Sequence, residues 1–210
     1  MDKKIIIFDM DGVIIDSIQI ARNYFLETHP GATEEMSKEM LSGNIHEEII
    51  KYAHLKKLET EEEKIIRQKT YSEIKTKAPI FVGMRELLEK LHNQGFILIL
   101  NTNAFDRNTL PILEYSKITH LFNFVATAEL SKSKVEKFKL IEEKYKTDKE
   151  DLLFITDTLG DIKEANIANI SAVAVTWGAH DRSFFEREKY TNLVKIVDSV
   201  KELEDYIMQN

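Results

Sequence analysis

The chain has 210 residues, a formal net charge of -7, 43% hydrophobic residues and no cysteine. That length suits one α/β core with a modest insertion and is short for two full-sized enzymatic domains. The acidic balance argues against nucleic acid as a partner, because a phosphate backbone demands a basic face. The lack of cysteine excludes disulfides, thiolate zinc sites and cysteine nucleophiles. The first apolar run, Ile5 to Phe8, is too short for a secretion signal or a membrane span. The expectation is a soluble, cytoplasmic protein with no membrane partner.

In chain order, Ile5 to Phe8 reads as a buried strand, short, unbroken and rich in branched residues. The segments Ile18 to Leu26, Met36 to Leu41, Glu47 to Leu55 and Glu61 to Ile74 carry helical patterns, and no credible strand lies among them. A crossover in a parallel sheet needs about one helix of a dozen or so residues. The excess predicts a small helical domain over 17–77, inserted after the first strand, with 1–16 and 78–210 forming the core. The charged run Glu59 to Lys64 reads as a solvated helix face. Met84 to His92 repeats leucines at helical spacing, with Gly95 as its stop. Ile97 to Leu100 is a second strand and Phe122 to Val125 a marginal one. Val135 to Tyr145 is a helix, with Ser133 and Glu136 spaced as a capping box. Leu152 to Ile155 and Ala172 to Val175 are strands, with a helix starting near Gly160 between them, and Val194 to Val197 is a marginal last strand. Strands alternating with helices predict an α/β fold, a doubly wound parallel sheet of Rossmann-like type with an inserted helical cap domain.

Open parallel sheets bind ligands at the carboxyl ends of their strands. There the sequence places Asp9-Met10-Asp11-Gly12-Val13, then Thr102-Asn103, then Thr156-Asp157-Thr158-Leu159-Gly160-Asp161. Four acids on one edge repel each other unless a cation is present, and hard oxygen ligands suit magnesium above all. Asp9 and Asp11, two apart in extended chain, lean the same way. Gly12 permits a turn whose backbone N–H groups can hold an anion. A carboxylate that attacks phosphorus forms an acyl phosphate. A second carboxylate can protonate the leaving alkoxide and later activate water. A threonine and a lysine can bind the oxygens of the transferring group.

The segments DMDGV, LILNTN and FITDTLGDIKEA together resemble three motifs of the haloacid dehalogenase-like hydrolases, in the subfamily with a helical cap after the first strand. The resemblance spans the chain. It implies Asp9 as nucleophile and Asp11 as general acid/base. It implies phosphoryl binding by Thr102, with Asn103 and Gly12 beside it. Magnesium would be held by Asp9, the backbone carbonyl of Asp11 and Asp157, with Asp161 in support. Asp161 also stands where it would cap its helix. Thr156 replaces the glycine usual in the family before the metal-binding acid. The phosphate-binding lysine is Lys134 or Lys132; Lys134, in the first turn of a helix capped by Ser133, is preferred. Gly43, Asn44 and His46, in LSGNIHEE between two cap helices, are candidate substrate readers, against the plainer reading of His46 as an exposed loop histidine. Trp177 reads as packing at the core edge. The implied activity is a magnesium-dependent phosphatase that hydrolyses a small phosphorylated metabolite through an aspartyl phosphate, in a monomer or weak dimer. A sugar phosphomutase on the same scaffold is the nearest alternative, and a non-catalytic binding protein is a more distant one. Asp11 argues against dehalogenation, where halide leaves without a proton.

Overall fold

The computed structural model describes residues 5–209. In chain order the elements are β1 (Ile5–Phe8), α1 (Ile18–Thr28), α2 (Glu34–Met40), α3 (Ile45–Glu48), α4 (Glu61–Thr76), α5 (Met84–Asn93), β2 (Ile97–Asn101), α6 (Asp106–Tyr115), β3 (Phe124–Ala126), α7 (Lys134–Tyr145), β4 (Leu152–Thr156), α8 (Leu159–Ala168), β5 (Ser171–Val175), α9 (Arg182–Phe185), β6 (Leu193–Val197) and α10 (Val200–Gln209).

The six strands form one sheet in the order β3-β2-β1-β4-β5-β6, and every pairing is parallel. Side chains alternate across a strand, so β1 feeds both faces. Ile6 and Phe8 join Met84, Leu88, Leu91 and Leu203 from α5 and α10. Ile5 and Ile7 join Phe138, Ile141, Ile162 and Ala165 from α7 and α8. Coverage on both faces is why these strands read as unbroken apolar runs. Burying each such side chain is worth about 1.5–3 kcal/mol. The order reverses at β1, the crevice where doubly wound sheets take their ligands. Phe8 lies level with Leu100 on β2 and Ile155 on β4, so the residues after these strands meet at one edge.

The helices α1 to α4 all fall between β1 and α5 and add no strand to the sheet. The two chain crossings at their base are tied together: Asp16 N donates to Pro79 O at 2.9 Å and Phe81 N to Ile14 O at 3.0 Å. Among the described residues, no helix is long and apolar enough to cross a membrane.

Some elements differ from their sequence pattern. The helix expected over Glu47 to Leu55 begins earlier, at Ile45, because Asn44 Oδ1 accepts from His46 N at 3.0 Å. It then tightens into 3-10 turns over Ile49–Leu55. The strand expected from Phe122 starts at Phe124. Thr119–Leu121 form a 3-10 turn, and Asn123 brackets Leu98, bonding its carbonyl and its N–H at 2.8 and 3.0 Å. The capping box of Ser133 and Glu136 does not form. Ser133 Oγ donates to Glu164 Oε1 at 3.2 Å, and the same oxygen accepts from Lys134 N at 2.8 Å. A carboxylate from α8 therefore caps α7. Helix α6 contains Pro111, whose missing N–H frees the Arg107 carbonyl. Ser72 Oγ of α4 lies 3.4 Å from that carbonyl.

Candidate active site

Asp9 directly follows β1 and is buried. Its Oδ1 accepts from Met10 N at 2.8 Å, and its Oδ2 faces Lys134 Nζ at 3.0 Å. Lys134, at the start of α7, is also buried and holds Asp161 Oδ2 at 2.5 Å. Thr156 Oγ1 donates to that same oxygen at 2.6 Å. Thr156 thus gives Asp161 a second donor and leaves the chain path of β4 intact. Burial favours a neutral Lys134, but its two carboxylate partners outweigh it and raise its pKa above the ordinary lysine value. Burial likewise opposes ionisation of Asp161, yet Lys134 and the Thr156 hydroxyl hold it below the usual carboxylate range. Thr158 caps α8 by accepting from Asp161 N at 3.2 Å, so the capping expected of Asp161 falls to Thr158.

Asp157 is fully buried. Its Oδ2 accepts from Ala179 N at 2.7 Å, whereas its buried Oδ1 has no partner. Two glycines make room for it. A Cβ on Gly12 would lie 1.8 Å from Asp157 Oδ2, and one on Gly178 would lie 2.3 Å from the same atom. Gly12 also has φ +75°, a conformation that L side chains rarely adopt. Its N–H donates to Ile15 O at 2.9 Å. The N–H of Gly12 itself is thus taken by the chain's own carbonyl, and this glycine also serves the close approach of Asp157. Burial raises Asp9 to about 7, partly offset by Lys134, with Asp161 and Asp11 pushing further upward. Asp157 is raised well above the carboxylate range by burial and by Asp9.

Asp11 is half-buried; Ser17 Oγ donates to its Oδ1 at 2.5 Å and Lys75 Nζ to its Oδ2 at 2.8 Å. Lys75 comes from α4, so an insertion residue reaches the core acid. Thr102 is buried, and its Oγ1 accepts from Ala104 N at 3.1 Å, which leaves the hydroxyl proton to donate elsewhere. Lys132 is exposed, and its backbone carbonyl accepts from Asn44 Nδ2 at 2.9 Å. Of the two lysines singled out in the sequence, the structure brings Lys134 to the acids and leaves Lys132 outside.

His46 is half-buried on α3 and not an exposed loop residue. Its Nε2 faces Asn103 O at 3.0 Å, and its ring meets Phe105 edge-on at 5.7 Å. A carbonyl only accepts, so Nε2 carries the proton. Burial pushes the His46 pKa below the ordinary histidine value. Asn44 Nδ2 also donates to Glu164 Oε1 at 3.2 Å. Gly43 lies against Gly160 so closely that a Cβ there would sit 2.2 Å from Gly43 O. Trp177 packs partly buried against the core, its Nε1 donating to Val13 O at 3.3 Å.

Ser17, Lys75 and Glu164 escaped the sequence reading, and so did two further buried residues. Lys137 is fully buried and donates to Thr102 O at 2.6 Å and Asn103 Oδ1 at 2.8 Å. Burial, then Lys134, lowers its pKa to about 7. Its signal was helical phase: it shares a stripe with Lys134 and Ile141, both buried. His180, buried and stacked on Phe184 at 4.1 Å, joins the insertion to the core. Its Nδ1 accepts from Leu159 N at 2.9 Å, and its Nε2 donates to Lys38 O at 2.9 Å.

A cavity of about 320 Å³ opens over Asp9, Asp11, Thr102 and Lys134, walled on the other side by α1, α2 and the 3-10 turns. Among the described residues, no three acidic or histidine side chains form a complete metal cage. The donors available are the buried carboxylates of Asp9 and Asp157, the latter with an unpartnered Oδ1; the resemblance adds the backbone carbonyl of Asp11. Magnesium usually takes one or two carboxylates, substrate phosphate oxygens and waters, so this donor set fits it.

The site thus joins a buried carboxylate pair at the carboxyl edge of a parallel sheet to a lysine between acids, beneath the helices α1 to α4 of an α/β protein. A model of the haloacid dehalogenase-like hydrolases matches residues 6–175, and the chain belongs to that family. Within it the chain stands with the phosphatases, enzymes that hydrolyse phosphoric monoesters. It is 27% identical over 195 residues to a phosphoglycolate phosphatase from Aliivibrio fischeri, covering 84% of this chain and 86% of that protein. It is 24% identical over 202 residues to another from Mesorhizobium japonicum, covering 90% and 89%. A haloacid dehalogenase-like family hydrolase from Streptococcus pneumoniae superposes with a TM-score of 0.76 at 19% identity, over 98% of each chain; that likeness speaks to fold alone.

Proposed function

We propose that this protein is a magnesium-dependent phosphatase of small phosphate monoesters that works through an aspartyl phosphate on Asp9. The observation that carries the proposal is the arrangement of Asp9: buried at the end of β1, with Lys134 3.0 Å from one oxygen and the cavity in front of it. An oxygen of Asp9 attacks phosphorus, the ester P–O bond breaks, and Asp11 gives the leaving alkoxide its proton. Asp11, now a carboxylate, takes a proton from the water that hydrolyses the aspartyl phosphate. Ser17 and Lys75 fix the orientation of Asp11 for both transfers. The Lys134 ammonium and the Thr102 hydroxyl hold the phosphoryl oxygens, where charge stabilisation matters most. Asp161 keeps Lys134 in place. Lys137 and Asn103 shape the Thr102 turn from below.

Asp9, Asp157 and the Asp11 carbonyl would hold the magnesium ion. When bound, it supplies positive charge that offsets the crowded carboxylates and polarises the phosphoryl oxygens. The helical insertion 17–77 serves as a cap that excludes water from the cavity and limits substrates to small esters. The relatives' activity makes 2-phosphoglycolate the first ester to try. The test is a screen of phosphorylated metabolites with magnesium, scored by phosphate release. Silence across the whole screen, with folded protein, would count against the proposal.

A further inference from the structure

Helix α1 carries a cation on its cavity-facing stripe. Ile18, Ala21, Arg22 and Phe25 all line the cavity, and their spacing of i, i+3, i+4 and i+7 is that of one helical face. A charge on such a stripe is unusual unless it is paired. The Arg22 side chain is only 16% exposed, so its guanidinium has given up much of its water. What it gains from the protein is slight. Nη1 donates to the neutral Gln19 Oε1 at 3.1 Å and stands 3.9 Å from Glu34, whose own side chain is 65% exposed. An ion pair that open to water is weak. Among the described residues, Nε and Nη2 have no protein partner. Those two nitrogens form the side-on fork by which a guanidinium takes both oxygens of a carboxylate or phosphate.

The other cations in the lining are Lys75 and Lys134. Lys134 lies between Asp9 and Asp161 and serves the transferring phosphoryl group. Lys75 has donors to spare, but it stands 2.8 Å from Asp11, beside the proposed acid. Arg22 differs from both, because no carboxylate of the reacting centre holds it. It is still near that centre along the chain. A Cβ on Gly12 would lie 2.9 Å from Ile18 Cδ1, and Arg22 follows Ile18 by one helical turn, about 6 Å along α1.

We propose that Arg22 binds a second anionic group of the substrate, a carboxylate or phosphate carried on the leaving group. This rests on the proposed phosphatase activity and narrows its substrate class to small esters with an additional acidic group. An arginine whose stem merely covers hydrocarbon while its head stays in water would give no preference among esters, so the two roles separate in the assay.

The test compares matched esters in the presence of magnesium. Ethyl phosphate against 2-phosphoglycolate, and butyl phosphate against O-phospho-γ-hydroxybutyrate, each exchange a methyl for a carboxylate. Ethylene glycol bisphosphate offers a second phosphate instead, and p-nitrophenyl phosphate controls for turnover. We expect at least one anionic ester to exceed its neutral match tenfold or more in kcat/KM, a difference of about 1.4 kcal/mol. Folded Arg22→Met should shrink that ratio to roughly threefold or less, because the charge-assisted bonds are gone. A larger advantage for the carboxylates than for the bisphosphate identifies the group as a carboxylate, and the reverse as a phosphate; both support the proposal. No anionic advantage in the wild type, a comparison that needs no variant, overturns it and leaves the phosphatase standing. So does an advantage that survives intact in folded Arg22→Met. No release from any ester, p-nitrophenyl phosphate included, overturns both.

Discussion

At the scale of single residues, the burial of Asp9 and Asp157 bears directly on the proposed cation site. Burial lifts Asp9 to about 7, so near neutral pH the proton that magnesium must displace is still partly bound. In the window between the free-aspartate value and about 7, the folded chain holds more protons than the unfolded one. Without metal, stability from this group therefore falls as pH rises through that window. Magnesium binding needs the ionised form and releases the proton. The apparent magnesium affinity should fall by up to about tenfold per unit as pH drops below 7. The thermal shift produced by magnesium should accordingly be larger at pH 8 than at pH 6. Equal shifts at both would show that these carboxylates do not bind the ion. Lys134 supports a second prediction. Lys134→Ala should cut turnover more than a hundredfold, the order for removing a charge-stabilising group, and Lys132→Ala much less. Because the first change also leaves Asp9 and Asp161 without their partner, it should lower stability by about 3–5 kcal/mol; rates must be referred to the folded fraction. The reverse ranking would move the role to Lys132. Asp9, Asp11, Thr102 and Asp157 could be singled out in the sequence because each follows a short apolar strand. Lys137 was harder to pick out: its helical phase with Lys134 and Ile141 marks a buried stripe, but it sits among many lysines.

At the scale of elements, the junction between the insertion and the core is made of specific bonds. Asn44 reaches Lys132 O and Glu164, His46 reaches Asn103 O, and Gly160 N donates to Leu41 O at 3.0 Å. Gly160 is the tightest of these contacts. Gly160→Ala should favour the helix by up to about 1 kcal/mol in intrinsic terms, yet its methyl would drive Gly43 and the cap away. Because the clash is with backbone, the expected result is lowered thermal stability together with at least a tenfold loss of kcat/KM in the folded fraction. Full activity would mean that closure of this junction is not required. Substitutions over 43–47 should alter the ranking of phosphate esters more than the magnesium dependence; equal losses on every ester would remove this segment from substrate reading. The strands were legible because branched runs covered on both faces have few alternatives. The capping of α7 was not, because the Glu164 carboxylate that captures Ser133 arrives from thirty-one positions away. The two-residue shift of β3 likewise depends on Asn123 bonding Leu98 across the sheet.

At the scale of the whole molecule, the order β3-β2-β1-β4-β5-β6 brings residues from distant parts of the chain to one crevice. The length of the segment between β1 and β2 pointed to extra helices there, which add no strand to the sheet, but not to the cavity beneath them. That space depends on how α1, α2 and the 3-10 turns meet Phe105. The net charge of -7 agrees with small phosphate esters in preference to polyanions. The central claim is that Asp9 is the nucleophile of a magnesium-dependent phosphatase, and Asp9→Asn tests it most directly. The substitution keeps the shape of the side chain and removes its attacking charge. Phosphate release should be measured on one ester for wild type and variant, each with magnesium and after chelation, with folding checked by thermal melting. The account predicts release only from wild type with magnesium, while the variant stays folded and silent; substantial turnover by purified Asp9→Asn would contradict it.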